Sequence, residues 1–144
     1  MLTFPTTFSN TMLRSTLAMC TRQTDARQVD IFDHQVLLIP FECEGRQSLF
    51  FVLGAKYIKD YNRRGFDQMR PCILHIDEST PLTRSHKHLY QVMTVKIRAW
   101  LNMSWKTKYG NNDTFCMPFS TRSMPVSRPH GKIIVYSCMM TRLT

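Results

Sequence analysis

The chain has 144 residues and a net charge of +9, from 19 Lys and Arg against 10 Asp and Glu. With 43% apolar and 20% charged residues it has material for one core, which excludes wholesale disorder. No apolar run approaches the roughly 18 residues that a membrane-spanning helix needs, so the positive surplus points instead to an acidic partner: nucleic acid, a membrane surface or an acidic protein.

In chain order, a single domain over 1–144 is expected, opened by a loose or weakly helical segment over 1–28. Residues 1–10 are rich in Pro, Thr and Ser and read as loose, Met12 to Cys20 reads as a short helix, and Gln23 to Gln28 as a polar connection. The run Val36-Leu37-Leu38-Ile39, closed by Pro40, reads as a buried strand. Glu44 and Gly45 mark a turn, and Ser48 to Leu53 forms the second arm of a hairpin. Lys56 to Arg70 reads as an exposed loop, and Cys72 to Ile76 as a third strand ending at Asp77. Ser85 to Trp105 has helical spacing, with Leu89, Met93, Ile97, Trp100 and Leu101 on one face and Lys87, Lys96 and Arg98 away from it. Lys106 to Asp113 is a polar turn, Phe115 to Pro129 a loop or edge segment with three prolines, and Lys132 to Cys138 a last strand or helix start. Strands followed by a helix and a final apolar element predict an α+β fold.

The cysteines, Cys20, Cys43, Cys72, Cys116 and Cys138, are odd in number and widely spaced, and no C-x-x-C occurs. His86 and His88 are a close pair, but no cysteine pair accompanies them, so neither a metal site nor a disulfide framework is expected. Reduced, mostly buried thiols in an intracellular protein of the nucleus or cytoplasm are the expectation. A mitochondrial transit segment is the alternative for the first 28 residues, which carry Arg14, Arg22 and Arg27 and no acid before Asp25. His75 falls mid-strand as a packed or edge-facing residue, and His34, His86, His88 and His130 read as surface or element-end residues.

Three stretches together resemble the SUMO-specific (sentrin-specific, SENP/ULP) cysteine proteases. "VDIFDHQVLLIPF", Val29 to Phe41, resembles their V-D-I-F-D-x-D-x-I-x-I-P segment. "RPCILHIDES", Arg70 to Ser79, resembles P-C-I-L-x-x-D-S-L, and "MPFSTRSMP", Met117 to Pro125, resembles the approach to P-Q-Q-x-N-x-x-D-C-G. The likeness extends from about Phe8 to Val135, and against the family's longer domain the chain reads as trimmed at both ends. It implies a two-lobed α+β domain with a mixed central sheet and flanking helices, SUMO or a SUMO-like protein as partner, and no cofactor.

The family's chemistry requires a Cys nucleophile, a His base, an Asp that orients it and a Gln oxyanion donor. Asp77 falls on the aspartate position. Arg46 replaces the His, and an always-protonated guanidinium cannot accept a thiol proton. Gln47 replaces a Trp that encloses the Gly-Gly tail of SUMO, and Ser127 replaces the Gln. Ile133, or Gly131 if two residues are deleted, stands where the Cys belongs. An Arg46–Asp77 ion pair in a relic site and an inactive pseudo-protease are therefore expected. The alternatives are an active thiol hydrolase using Cys138 and a basic nucleic-acid-binding module drawing on Arg63-Arg64, Arg84 to His88, Lys96 to Lys108 and Arg122 to Lys132.

Overall fold

The computed structural model describes residues 1–43, 45–58, 71–78, 83–110 and 120–126, of which 25–26, 43, 78 and 120–126 are described by their backbone alone. The elements are β1 (Leu2–Thr3), α1 (Thr6–Arg14), α2 (Leu17–Ala26), β2 (Val36–Cys43), β3 (Arg46–Leu53), β4 (Cys72–Glu78), α3 (Arg84–Tyr109) and β5 (Ser120–Val126). The strands form one mixed sheet in the order β1-β2-β3-β4-β5. The β1–β2 and β4–β5 pairs are parallel, and the two pairs between them are antiparallel. This is the α+β class expected from the element order.

The β2–β3 hairpin follows from two apolar runs joined by a two-residue turn. Cys43 pairs with Arg46 across it, and Gly45 takes φ +75°, a left-handed value that glycine adopts without a Cβ clash. The hairpin was expected, but both arms are longer than their apolar runs. β2 continues through Pro40 to Cys43, because the pairing with β1 involves only Leu37 and Leu38 and leaves Pro40 without a strand on that side, where its carbonyl instead accepts from Ser9 Oγ of α1. A missing N–H is tolerated on such an edge. The start of β3 at Arg46, not Ser48, places Arg46 and Gln47 in the sheet. At its far end Gly54, φ +79°, lets the chain pass Pro71, whose Cα a side chain there would meet at 3.2 Å.

Alternation along the strands separates two cores. Leu37, Ile39, Phe41, Phe50, Val52 and Ile73 face the helical layer, while Val36, Leu38, Phe51, Leu74 and Ile76 form a second cluster. α3 drives Tyr90, Met93, Ile97, Trp100, Leu101 and Trp105 into the first core. Phe4 and Phe8 meet Trp100 edge-on at 5.5 and 5.1 Å. The helix begins at Thr83, whose side chain accepts a hydrogen bond from the His86 N–H, and ends at Gly110, φ +85°. It therefore overruns the expected 85–105 at both ends and takes Lys106 to Tyr109 from the expected turn.

The N-terminal segment departs most from its composition. Residues 1–10 are not loose: Leu2 and Thr3 pair with β2, and α1 starts at Thr6. The helix expected over Met12 to Cys20 is instead two helices broken at Ser15, whose backbone is extended. The polar connection begins only after Ala26. Thr11, Thr21 and Thr24 each turn the side-chain hydroxyl back onto the carbonyl four residues earlier, so hydroxyl-rich sequence is accommodated within helices. Phe8 and Met12 are the buried anchors that offset weak propensity.

Lys96 corrects a second expectation. It does not simply lie away from the core; its Nζ donates to the Met12 and Leu13 carbonyls, each at 3.0 Å, at the C-terminal end of α1. A cation satisfying the last carbonyls also complements the helix dipole. Lys96→Met, which keeps the stem and removes the charge, is expected to cost about 1–2 kcal/mol in urea denaturation and to weaken the α1–α3 contact.

The segment Phe115 to Pro129, expected as loop or edge, contributes the edge strand β5, with Pro125 opposite Asp77 in the register. The expected loop over Lys56 to Arg70 lies outside the described residues beyond Ile58, and the last element over Lys132 to Cys138 lies wholly outside them. Among the described residues no helix is long and apolar enough to cross a membrane.

Candidate functional site

The candidate site is built on the ends of β3 and β4 nearest the β2–β3 turn. Arg46 and Ser48 alternate onto the helical face of β3, and Leu49 pairs with Ile76 in the register that carries β4 onward to Asp77. His75 and Asp77, two residues apart on β4, share that face, and α3 lays Tyr90 against them. One hairpin, one following strand and the first turns of the long helix therefore converge on a buried polar patch at the edge of the core.

The centre of the patch is an ion pair. Arg46 Nε donates to both Asp77 oxygens, Oδ1 at 3.1 Å and Oδ2 at 3.0 Å, and the side chains are 11% and 6% exposed. The expected pair is thus present and nearly water-free, where a charge-assisted bond gains strength and a lost partner is costly. Beside it, His75 stacks on Phe50 at 4.5 Å and lies 4.2 Å from the Tyr90 ring. Burial pushes the His75 imidazole down to about 4, with the Asp77 charge pulling it upward and Arg46 pushing the same way as burial. Burial and the neighbouring Asp77 charge push the Tyr90 phenol up to about 12. Ser48 Oγ, His75 Nε2 and Tyr90 Oη are buried without a hydrogen bond of full geometry among the described residues.

The chemistry of this arrangement follows from its protonation states. Near pH 7 Arg46 is a fixed cation, while His75 and Tyr90 are held neutral. Among the described residues the patch therefore holds an ion pair beside a neutral imidazole and a neutral phenol, neither of which titrates near pH 7. The described thiols lie elsewhere. Cys72 opens β4, five residues from Asp77, or ~17 Å along the strand. Cys20 is buried on α2, and its thiol is pushed up by that burial against the opposing influence of Lys96. Gln47 alternates to the opposite side of β3 from Arg46 and is exposed. Ser127, Gly131, Ile133 and Cys138 lie outside the described residues. Among the described residues no three His, Cys, Asp or Glu side chains gather in a metal-binding arrangement.

Sequence reasoning singled out Arg46 and Asp77 but not Ser48 or Tyr90, and it placed His75 only as a packed or edge residue. The signal for Tyr90 was present: it lies three and seven residues before Met93 and Ile97, on the apolar face. A second polar knot explains part of the Val-Asp-Ile-Phe stretch. Asp30 accepts from the Phe32 N–H at 3.0 Å and from Tyr109 Oη at 3.0 Å, and pairs with Lys108 at 2.8 Å. Burial pushes its carboxyl up, but these donors outweigh burial and hold it below the usual value. Asp30 thereby fastens the chain entering β2 to the end of α3, while Phe32 packs on Trp105 and Tyr109 at 5.2 and 6.2 Å.

No protein-family model and no curated protein sequence matches the chain. The fold is similar to the crystal structure of a de-sumoylating protease, with a TM-score of 0.60 and 14% identity over 89% of this chain and 44% of that one. The chain thus spans less than half the length of that structure. The likeness establishes a protease-like α+β fold.

Proposed function

We propose that the protein is a SUMO-protease-like domain that has given up hydrolysis, a pseudo-protease of the nucleus or cytoplasm that binds a SUMO-like protein. The observation that carries this reading is Arg46 Nε held 3.0–3.1 Å from both Asp77 oxygens, at the position where the resemblance places a His base. An Asp engaged by a permanent cation orients no imidazole, and Arg cannot relay a proton between a thiol and a leaving amine. The +9 charge supports an acidic protein partner electrostatically. In this reading Gln47 removes the apolar wall of the tail tunnel, so contact with a SUMO-like partner rests on its folded body rather than its C-terminal tail. Ser127 and Ile133, or Gly131, leave the oxyanion and nucleophile positions without their functional groups.

Incubation with SUMO carrying a C-terminal vinyl sulfone tests the loss of chemistry. The expected result is no covalent adduct at neutral pH under conditions that label an active family protease completely. An adduct mapped to Cys138 or any other thiol overturns the inactive reading. Titration calorimetry with unmodified SUMO tests the retained contact, for which a dissociation constant of about 1–100 μM is expected. No heat of binding at millimolar concentration removes the partner from the proposal.

A further inference from the structure

The 26 residues of α3 contain Arg84, Lys87, Lys96, Arg98, Lys106 and Lys108 and not one Asp or Glu. Lys96 and Lys108 serve the fold, on the α1 carbonyls and on Asp30. Arg84, Lys87, His88, Gln91, Val95 and Lys106 are exposed, and the helical period sets them opposite the buried face of Met93, Ile97, Trp100 and Leu101. Arg14 adds an exposed cation beside the middle of the helix, directly after the Leu13 carbonyl that Lys96 holds. Local helix stability does not explain this pattern. The first turn, where the dipole favours acids, has none and carries cations instead. An uncompensated local conflict of this kind is characteristic of a functional surface.

The face also indicates what it fits. Val95, 65% exposed, is the one large apolar side chain on it among the described residues, and no aromatic is exposed there. A protein partner would find no central anchor to bury, and a bilayer no apolar wedge. A phosphate backbone needs only point charges, and positioning on it requires no base contacts. Arg84 and Lys106 are 22 residues apart, or ~33 Å along the helix, close to one turn of a duplex. We propose that the solvent face of α3 is a sequence-independent docking surface for the phosphate backbone of duplex nucleic acid. This surface is on the opposite side of α3 from Tyr90 and does not depend on the protease-like reading.

Fluorescence anisotropy of a labelled 20-bp DNA duplex with the full chain, from 50 to 200 mM NaCl, is the test. Micromolar binding at 50 mM salt is expected, with a log–log salt slope of about −3. The triple variant R84E/K87E/K106E should bind about 100-fold more weakly and lose most of that slope, whereas K56E, an exposed charge on another element, should change affinity less than about threefold. Acids at positions 84 and 87 favour the helix dipole and offset the acid placed in the last turn at 106, so circular dichroism of the triple variant should be unchanged, separating binding from folding. The proposal is overturned by absence of saturable binding below about 100 μM at 50 mM salt, or by equal losses in K56E. It is also overturned by a preference above about tenfold between two unrelated duplex sequences, or by a triple variant that loses a SUMO-like protein and keeps the duplex.

Discussion

Asp77→Ala is expected to destabilise the protein by about 3–5 kcal/mol, read as a fall in the urea midpoint at unchanged slope. The size follows from geometry. Both carboxylate oxygens receive Arg46 Nε, both side chains are nearly water-free, and the alanine variant removes that carboxylate while leaving the guanidinium in place. Replacing both residues, as in R46M/D77L, is expected to recover most of the loss, because the charge and its desolvation penalty leave together. The double-mutant cycle then measures the coupling directly, and a coupling below about 0.5 kcal/mol would show that the pair contributes nothing of its own. Arg46→His is a sharper probe of ancestry than of activity. It places an imidazole beside Asp77 without supplying a nucleophile, so stability changes and turnover does not appear.

Acid should weaken the fold through His75 well before ordinary carboxylates titrate. The folded-state value is about 4, against 6.5 for a free imidazole. Between those two pH values the unfolded chain binds a proton that the folded chain refuses, so stability is complete above pH 6.5 and falls as pH drops toward 4. The loss amounts to about 3 kcal/mol from this one residue. His75→Phe keeps the stacking on Phe50 and Tyr90, removes a buried nitrogen without a hydrogen bond, and should flatten this limb of the profile. Asp30, whose carboxyl is held low, also favours the folded state less as pH falls, but only below its ordinary value of 3.8, so the two contributions separate. Thermal denaturation of wild type and His75→Phe from pH 4 to 8 checks this. Parallel profiles for the two proteins would exclude His75 as the acid-sensitive group.

The parts of the fold readable from sequence are those where one periodicity dominates. The runs at Val36–Ile39 and Ser48–Leu53, with Gly45 between them, specify a hairpin, and the spacing of Met93, Ile97 and Trp100 specifies a helix. Boundaries set by tertiary context were not readable. Pro40 stops a strand by local rule but sits in one here because no strand on that side asks for its N–H, and the Thr-rich N-terminus becomes helical because Phe8 and Met12 find a core. In the site, Arg46 and Asp77 are 31 residues apart, and counting from motifs placed them as partners because strand register converts sequence offset into position. Ser48 and Tyr90 escaped notice because a buried hydroxyl on a regular element looks like any packing residue until its neighbours are known.

The two strands that carry the ion pair both have a neighbour on each side in the sheet. A catalytic cleft ordinarily places its working groups on loops or strand margins, where small openings admit substrate without disturbing the core. Here Arg46 opens β3 and Asp77 lies one residue from the end of β4, but both strands are internal to the sheet and Tyr90 packs on the same face. Its two carboxylate–guanidinium contacts join residues 31 apart in sequence, so the pair acts as a clasp that holds the start of the hairpin's second arm to the end of the strand that follows it.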